Sequence, residues 1–245
     1  MKDKIYFASD FHLDLSESGK ERERKVVRWL QSIESDAKEI YLLGDVFDFW
    51  FEYKHVVPKG FVRLLGKLAQ LSDAGVKLHI FTGNHDVWMF DYFEKELNAE
   101  VYTNPIKRDI DGIRLMIGHG DGLGPGDNGY KLIKSIFTNR FCQRLFAALH
   151  PRFGVALARF FSAKSREATG DKDSVYLGDD QEYLVRYCNE IRKSEKIDYF
   201  IFGHRHMVLD KQLQNGGRYI NLGAWYSDCN YAILSDGEVK LRKFT

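Results

Sequence analysis

The sequence predicts an α/β fold of two stacked mixed β-sheets flanked by helices, with an inserted helical cap. Short apolar runs recur along the chain, most of them ending in glycine and polar residues, and helical patterns lie between the first three runs. Strands that alternate with helices indicate a largely parallel sheet. Turn signals in the C-terminal third indicate antiparallel hairpins. No repeat, low-complexity tract or linker divides the 245 residues, so we expect one domain over residues 1–245.

The individual elements follow from spacing and turn chemistry. Apolar runs rich in β-branched and aromatic residues predict buried strands at Ile5–Ser9, Ile40–Leu43, Leu78–Phe81, Ile113–Ile117 and Tyr199–Phe202. Apolar residues at helical spacing predict a helix over Glu21–Ile33, and Pro58 is predicted to open a second helix that runs towards Gly75. Asn215-Gly216-Gly217 and Asp236-Gly237 predict hairpin turns.

Composition limits the class of protein. The 36 basic and 35 acidic side chains leave a net charge of +1, which argues against a protein that coats nucleic acid. The cysteines are few, odd in number and far apart, so they encode neither a disulfide framework nor a thiolate metal cluster: Cys142, Cys188 and Cys229. The N-terminus lacks the apolar stretch of a signal peptide, and no run approaches a membrane span. We therefore expect a cytoplasmic globular enzyme or binding protein.

One segment departs from this even charge balance. Asn128–Arg166 contains eight basic residues and no acidic one, which leaves 28 basic against 35 acidic residues elsewhere. Its apolar residues fall at mixed three- and four-residue spacings, which predicts one or two amphipathic helices broken near Pro151. Because the segment lies between two motif-bearing strands, we predict an inserted cap over about residues 123–175. A basic amphipathic helix also suits an anionic membrane surface.

Short polar motifs stand where the predicted strands end. They are Asp10-Phe11-His12, Gly44-Asp45, Gly83-Asn84-His85-Asp86, Gly118-His119-Gly120-Asp121 and Gly203-His204-Arg205-His206. In open α/β sheets ligands gather at the carboxyl edge, because the loops there converge. Residues i and i+2 of an extended segment point to the same side, so Asp10 and His12 can serve one site, and so can His204 and His206.

These motifs supply a metal-ligand set of imidazoles, carboxylates and one amide, without thiolate. Such a set suits Mn, Fe or Zn at five or six coordination rather than a closed structural zinc site. Seven ligands are too many for one ion and suit two ions that share a bridging carboxylate. Two metals about 3.5–4 Å apart form the usual clamp for in-line displacement at phosphorus. We expect two divalent ions, Mn²⁺ first, with Fe or Zn as alternatives.

The ordered set DxH, GD, GNHD, GH and GHxH resembles the calcineurin-like metallophosphoesterases over positions 10–206. The resemblance implies that one metal is held by Asp10, His12, Asp45 and His206. It implies that the other is held by Asp45, Asn84, His119 and His204, with Asp45 bridging. The fold of that family, two stacked mixed sheets flanked by helices, agrees with the fold predicted above.

The chemistry expected of such a site is hydrolysis at phosphorus by water whose pKa is lowered on a metal. We expect Asn84 to stabilise charge on the phosphate oxygens, and His85, held by Asp86, to act as general acid or electrostatic stabiliser for the leaving phosphate. Asp48, Asp86 and Asp121 are expected to support the ligands rather than to bind metal. The histidines outside the motifs are expected to be structural: His55, His79 and His150.

A narrower resemblance is to a group of that family that cleaves the pyrophosphate of UDP-2,3-diacylglucosamine, giving UMP and 2,3-diacylglucosamine 1-phosphate in lipid A biosynthesis. The residues that support it are GDVFDFWFEY, GHGDGLGPGDNGY with the basic segment that follows, and SAKSREATGDK. It implies substrate contacts at Asn84, His85, Asp127, Ser165, Thr169, Lys172 and His204. Thr169 stands where better-studied members have Asn, and His85 stands where they have Arg.

The narrower resemblance also implies partners. The apolar faces of the cap would receive acyl chains, while Lys172 and the cap arginines would neutralise the diphosphate. We expect a lipid-linked sugar nucleotide as substrate and peripheral association with the cytoplasmic face of the inner membrane. We expect neither nucleic acid nor an obligate protein partner.

Other functions stay open on the sequence. The same site could hydrolyse a cyclic nucleotide, a phosphoprotein or another nucleotide sugar, although a water-soluble substrate needs no such apolar surface. A nuclease could use the basic segment, but Phe among Leu and Ile favours a lipid cleft over a base-stacking platform. A non-catalytic scaffold with this fold would be expected to have lost ligands, and here the set is complete.

Overall fold

Two β-sheets stack face to face at the centre of the protein, and helices cover their outer faces. The computed structural model describes residues 2–124, 128–157, 174–214 and 216–245. The first sheet contains β1 (Lys4–Ala8), β2 (Ala37–Leu43), β3 (Lys77–Phe81), β4 (Glu100–Tyr102), β10 (Asn230–Ser235) and β11 (Glu238–Lys243). The second contains β5 (Ile106–Ile110), β6 (Ile113–Ile117), β7 (Tyr199–Phe202), β8 (Val208–Gln212) and β9 (Arg218–Leu222).

Both sheets are mixed, as the sequence predicts. The first has the strand order β11-β10-β1-β2-β3-β4, in which β1 to β4 are parallel and β10 is antiparallel to both β1 and β11. The second has the order β5-β6-β7-β9-β8, in which β6, β7 and β9 are parallel. Hairpins join β8 to β9 and β10 to β11, so the predicted hairpins are confirmed.

The helices in chain order are α1 (Glu17–Ile33), α2 (Val62–Asp73), α3 (Tyr92–Leu97), α4 (Asn128–Thr138), α5 (Arg140–Ala148) and α6 (Tyr183–Ser194). Residues 151–157 are also helical. In the part of the chain that the structure describes, no helix combines the length and apolar character needed to cross a membrane.

Alternation along the strands divides the core into layers. Ile5 and Phe7 of β1 pack between the two sheets, whereas Tyr6 and Ala8 pack on the other face, against the helices. Both faces of the strand are therefore buried, which explains why it is an unbroken apolar run rather than an alternating one. The layers place the carboxyl ends of the parallel strands at one end of the protein.

Three predicted helix boundaries are wrong. Helix α1 begins at Glu17 rather than at Glu21, because the Ser16 side chain caps it by accepting a hydrogen bond from the N–H of Gly19. Helix α2 begins at Val62 and not at Pro58, because Gly60 and Phe61 adopt left-handed backbone conformations with φ values of +110° and +56°. The cap has a further break at Asn139, whose side chain caps α5 by accepting hydrogen bonds from the N–H groups of Phe141 and Cys142. The described part of the cap therefore contains three helical segments rather than one or two.

Candidate metal centre

The loops that follow β1, β2, β3, β6 and β7 converge, and they bring together every residue predicted to bind metal. His, Asp and Asn side chains from these loops form two groups that share Asp45. The first group contains Asp10, His12, Asp45 and His206. The second contains Asp45, His119 and His204, with Asn84 beside both histidines.

In the first group the donor atoms face one another across a small space. The Nε2 atoms of His12 and His206 are 3.1 Å apart. Asp10 Oδ1 lies 3.6 Å from Nε2 of His206 and 3.8 Å from Nε2 of His12. Asp45 Oδ2 lies 3.7 Å from Nε2 of His12. Four nitrogen and oxygen ligands thus point at one position.

In the second group the Asn84 amide oxygen is central. Its Oδ1 lies 3.2 Å from Nε2 of His119 and 2.9 Å from Nδ1 of His204. Asp45 Oδ2 lies 3.4 Å from Nε2 of His119. The same carboxylate oxygen therefore faces histidine nitrogens of both groups.

That oxygen is the clearest sign that a ligand is needed. Asp45 Oδ2 is buried and has no hydrogen-bond partner among the described residues, and an unsatisfied buried carboxylate oxygen is costly. Asp45 Oδ1, in contrast, accepts a hydrogen bond from the backbone N–H of His85. A cation between the two groups would satisfy Oδ2, so the arrangement fits a pair of metal ions with Asp45 between them.

Hydrogen bonds at the ring nitrogens that point away from the site orient two of the histidines. Nδ1 of His119 lies 2.7 Å from the carbonyl oxygen of Leu43, and the only hydrogen bond possible there is donated by Nδ1–H. Nδ1 of His12 lies 3.2 Å from Asp48 Oδ1, which likewise accepts. In the neutral imidazole the proton at Nδ1 leaves the Nε2 lone pair free to face the site.

Backbone conformation also supports the site. Several predicted ligands adopt left-handed conformations, with φ values between 46° and 66°: Asp10, His12, Asp45 and His204. Such conformations are uncommon for residues other than glycine and cluster at functional sites. A Cβ at Gly83 would lie 2.2 Å from Asp45 Oδ1, and one at Gly203 would lie 2.3 Å from Asp10 Oδ2. Glycine at these two positions makes room for the carboxylates.

The electrostatics of the site favour bound positive charge. Burial lowers the pKa of an imidazole, but at His119 the Asp45 carboxylate outweighs burial and raises the pKa to about 10. Burial by itself would raise the pKa of Asp45, yet the imidazoles of His119 and His85 hold it well below its usual value. Burial, and then the charge of His119, lower the pKa of His204 to about 4. A site that draws a proton towards its carboxylates fits divalent cations in the same place.

The expectation that Asp86 holds His85 is wrong. The Asp86 carboxylate accepts hydrogen bonds from four backbone N–H groups and none from His85; the donors are Gly83, Asp45, Val46 and Phe47. Asp86 therefore ties the loop after β3 to the loop after β2. Donor atoms of His85, His12 and Asp48 lie within 4.8 Å of one another, so Asp48 is a carboxylate near the His85 ring.

Of the substrate contacts predicted on the cap, Asp127, Ser165, Thr169 and Lys172 lie outside the described residues. Those within the described residues are part of the metal centre: Asn84, His85 and His204. Asp121 supports the junction with the cap, as its carboxylate accepts from the hydroxyl of Tyr130 and lies 2.6 Å from Nζ of Lys134.

Sequence reasoning missed Tyr226. Its hydroxyl lies 2.8 Å from Nδ1 of His206, so it orients this ligand as Asp48 orients His12. Tyr226 follows β9 and Gly223, and this strand-then-glycine pattern is the same signal that marks four of the five motifs. The sequence analysis predicts no strand over residues 218–222, so Tyr226 is not among the predicted site residues.

Residues 128–157, which lie in the predicted cap and are called the cap below, contact the rest of the protein, the body, through an aromatic cluster and leave much apolar surface exposed. Phe137 and Phe146 of the cap pack with Phe49, Phe51 and Trp88 of the body, and the Trp88 indole donates a 2.8 Å hydrogen bond to the Phe137 carbonyl oxygen. Eight of the sixteen exposed large hydrophobic side chains in the described residues lie between residues 128 and 157: Leu132, Ile133, Ile136, Phe141, Leu145, Leu149, Phe153 and Leu157.

Comparisons with known proteins identify related sequences and structures. Residues 3–208 match the family model of the calcineurin-like phosphoesterases. A UDP-2,3-diacylglucosamine hydrolase of Porphyromonas gingivalis is 40% identical over 95% of this chain and 94% of its own length. One of Haemophilus influenzae is 29% identical over 94% of this chain and 92% of its own length. Among solved structures, Yfce, a phosphoesterase from E. coli, aligns with a TM-score of 0.46 at 15% identity, covering 96% of this chain and 89% of that one.

Proposed function

This chain belongs to the calcineurin-like phosphoesterase family, and we propose that it hydrolyses the pyrophosphate of UDP-2,3-diacylglucosamine to UMP and 2,3-diacylglucosamine 1-phosphate. The observation that carries the proposal is the pair of ligand groups joined at Asp45 beside helices with exposed apolar side chains. The ligand groups, with metals bound, can hold a pyrophosphate, and the exposed apolar side chains of the helices can cover acyl chains. Relatives named UDP-2,3-diacylglucosamine hydrolase match nearly the whole chain.

The donor set supports two divalent cations. Asp10, His12, Asp45 and His206 would hold one, and Asp45, Asn84, His119 and His204 the other. When bound, such a pair lowers the pKa of coordinated water towards about 7 and neutralises phosphate charge. Nitrogen and oxygen donors without thiolate suit Mn²⁺, and Fe and Zn are the alternatives.

The protein's own residues then orient the pyrophosphate and move a proton. The Asn84 amide can donate to a phosphate oxygen through its nitrogen while its oxygen faces His119 and His204. His85 is placed to protonate the departing phosphate, with Asp48 rather than Asp86 as the carboxylate near it. Asp86 contributes by holding the loops of Asp45 and Asn84 in place.

The cap supplies what an acylated substrate needs. Its exposed apolar side chains can bury acyl chains, at about 0.8 kcal/mol per CH₂ group, while Arg144 and Arg152 are exposed basic groups on the same helices. This combination suits an anionic lipid surface, so we infer peripheral association with the inner membrane. Contacts from Asp127, Ser165, Thr169 and Lys172 to the substrate belong to the same proposal.

A single assay tests the assignment. Purified protein with Mn²⁺ is given diacylated or unacylated UDP-glucosamine, and UMP release is measured. We expect the diacylated compound to be preferred by at least about tenfold in kcat/KM, because only it can bury apolar surface on the cap. Equal or faster release from the unacylated compound contradicts the lipid assignment. Elemental analysis of the protein identifies the bound metal.

A further inference from the structure

A groove of about 730 Å³ opens beside the metal centre, next to His206. Residues from three parts of the chain line it, among them Tyr176, His206, Val208, Tyr226, Ser227 and Asn230. Its volume is within the range of small-molecule sites, about 300–1,000 Å³. Because a predicted metal ligand forms part of its wall, a substrate held at the metals can extend into it.

The strand order places this groove and the cap on opposite sides of the metal residues. In the first sheet, β1 leads to Asp10 and His12. On one side of β1 lies β10, which begins at the groove. On the other side lie β2 and β3, and the loops that follow them contact the cap. In the second sheet, β7 leads to His204 and His206. On one side of β7 lies β6, which leads into the cap, and on the other side lie β9 and β8. The loop after β9 and the first residues of β8 line the groove. A substrate that spans the metals therefore has one end at the cap and the other at the groove.

The groove has the chemistry of a nucleoside site rather than of a lipid site. Tyr226 is 51% exposed, and exposed aromatic rings are platforms on which nucleobases stack. Ser227, Asp228 and Asn230 supply hydroxyl, carboxylate and amide groups. Ser227 donates to the Ala224 carbonyl and Asp228 accepts from Lys243, so the remaining acceptor positions and the Asn230 amide can pair with base and ribose. The Trp225 indole donates its hydrogen bond to the backbone carbonyl of Asn230, not to the side-chain amide.

We propose that this groove binds the nucleoside half of the substrate, with the base against Tyr226 and the ribose towards His206. The proposal rests on the proposed function, because it assigns the second end of the same UDP-linked substrate. The pyrophosphate then lies over the metal residues and the acyl chains lie under the cap. One polar end and one apolar end are thus recognised on opposite sides of the bond that breaks.

The test measures what the base adds to binding. Dissociation constants of UMP and of ribose 5-phosphate are determined by calorimetry on the Mn²⁺-loaded protein, since the two ligands share a phosphate and differ in the base. We expect the wild-type protein to bind UMP about tenfold or more tightly than ribose 5-phosphate, the size expected from one stacked base.

Val208→Trp is the groove-filling variant. Val208 is exposed in the groove, so an indole there should abolish most of the UMP advantage while ribose 5-phosphate binds as before. Val62→Trp is the matched control, because Val62 is exposed at the start of α2 and outside the groove. It should retain the full advantage.

Tyr226 distinguishes stacking from support of His206. Tyr226→Phe keeps the ring and should keep the UMP advantage, whereas Tyr226→Leu removes the ring and should lower the advantage at least threefold. An equal loss in both variants overturns the stacking contact.

The groove assignment and the proposed function fail in different ways. If wild-type protein releases UMP from the diacylated substrate but binds UMP no better than ribose 5-phosphate, or if Val208→Trp leaves the advantage intact, the groove assignment is overturned and the function stands. If no UMP is released and UMP has no advantage, both are overturned.

Discussion

The ligand cluster and the cap helices meet at one junction, yet they are built in opposite ways. In the cluster, Asp10, Asp45, His12 and His119 are at most 3% exposed, and groups behind the histidines orient the rings. In the cap, Leu132, Phe141 and Phe153 are 64%, 67% and 68% exposed. One region is ordered before its ligand arrives, and the other leaves large apolar side chains exposed.

The difference follows from the forces that each region uses. Coordination and hydrogen bonding depend on direction, so the donor atoms must be placed before binding. Apolar burial has no such direction and scales with area. We therefore expect changes in the cluster to affect the chemical step on every substrate, and changes in the cap to affect only acylated ones.

The largest expected effect is at the shared carboxylate. Asp45→Asn keeps the size of the side chain but removes the charge between the two groups, so kcat/KM for any phosphodiester should fall by about 10³-fold or more, as loss of several kcal/mol of transition-state stabilisation requires. The rate with a small chromogenic phosphodiester and the metal content are measured together. Asp73→Asn, at an exposed position on α2, should change neither. Near-normal turnover in Asp45→Asn excludes the proposed bridging role.

The next effect should separate the cap from the cluster. Replacing Leu132, Phe141 and Phe153 together with Gln removes apolar area that acyl chains would cover, at roughly 1 kcal/mol per side chain. KM for the diacylated substrate should rise about 10- to 100-fold, while the small phosphodiester is hydrolysed at the wild-type rate. Steady-state kinetics on the two substrates checks this.

A matched variant shows whether the position of the apolar surface matters. Val56, Val62 and Phe90 are also exposed, at 53%, 73% and 42%, but lie outside the cap. Gln at these three positions should leave both KM values unchanged. If it raises KM as much as the cap variant does, the comparison between the two regions fails.

A smaller effect is expected behind the cluster. Tyr226→Phe removes the hydroxyl that contacts Nδ1 of His206, and loss of such support typically weakens metal affinity about 10-fold or more. Mn²⁺ titration followed by calorimetry measures it. Tyr176→Phe, in the same groove but hydrogen-bonded to Asp179, should bind Mn²⁺ like the wild type. Unchanged affinity in Tyr226→Phe would mean that His206 is held without the tyrosine.

The smallest expected effect is on the free energy of unfolding, at Glu39, far from both regions. Its carboxylate accepts hydrogen bonds from His79 and Tyr41, and the bond from His79 is the main cause that lowers the pKa of Glu39 from 4.5 to about 2. A depressed carboxyl pKa stabilises the fold above the unfolded value, and this stability is lost as the pH falls from about 4.5 through about 2.

The neighbouring Arg108 is 30% exposed, so solvent screens the cluster and we expect a contribution of about 1 kcal/mol. Urea unfolding of wild type and Glu39→Gln at pH 6 and pH 3 tests this, with the difference between the two proteins shrinking at pH 3. A difference that grows on acidification contradicts the lowered pKa.

Motif residues could be predicted well because their positions are local consequences of strand ends. Asp10 and His12 follow β1, Asp45 follows β2 and His119 follows β6, and parallel strands bring their carboxyl ends to one edge. Their convergence needs only the strand order. The start of α2 could not be predicted in this way, because it depends on the conformations of Gly60 and Phe61 rather than on Pro58.

Partners across long sequence distances were beyond sequence reasoning. Asp86 is adjacent to His85 in the chain, which suggested that it holds the imidazole, but its carboxylate turns to the backbone of the loop after β2. Asp48 orients His12, as expected of a supporting carboxylate, and Tyr226, which was not predicted, orients His206. Adjacent residues of a loop point in different directions, so adjacency along the chain does not determine contact.

The sequence by itself determined the α/β class, the residues that gather at the strand ends and the basic, acid-free segment, because periodicity, strand-end motifs and charge are written along the chain. Only the tertiary structure decided which groups orient the ligands, which faces of the cap stay exposed, and that a polar groove lies across the metal residues from it. These are contacts between strands and loops distant in sequence, and they exist only once the two sheets have stacked.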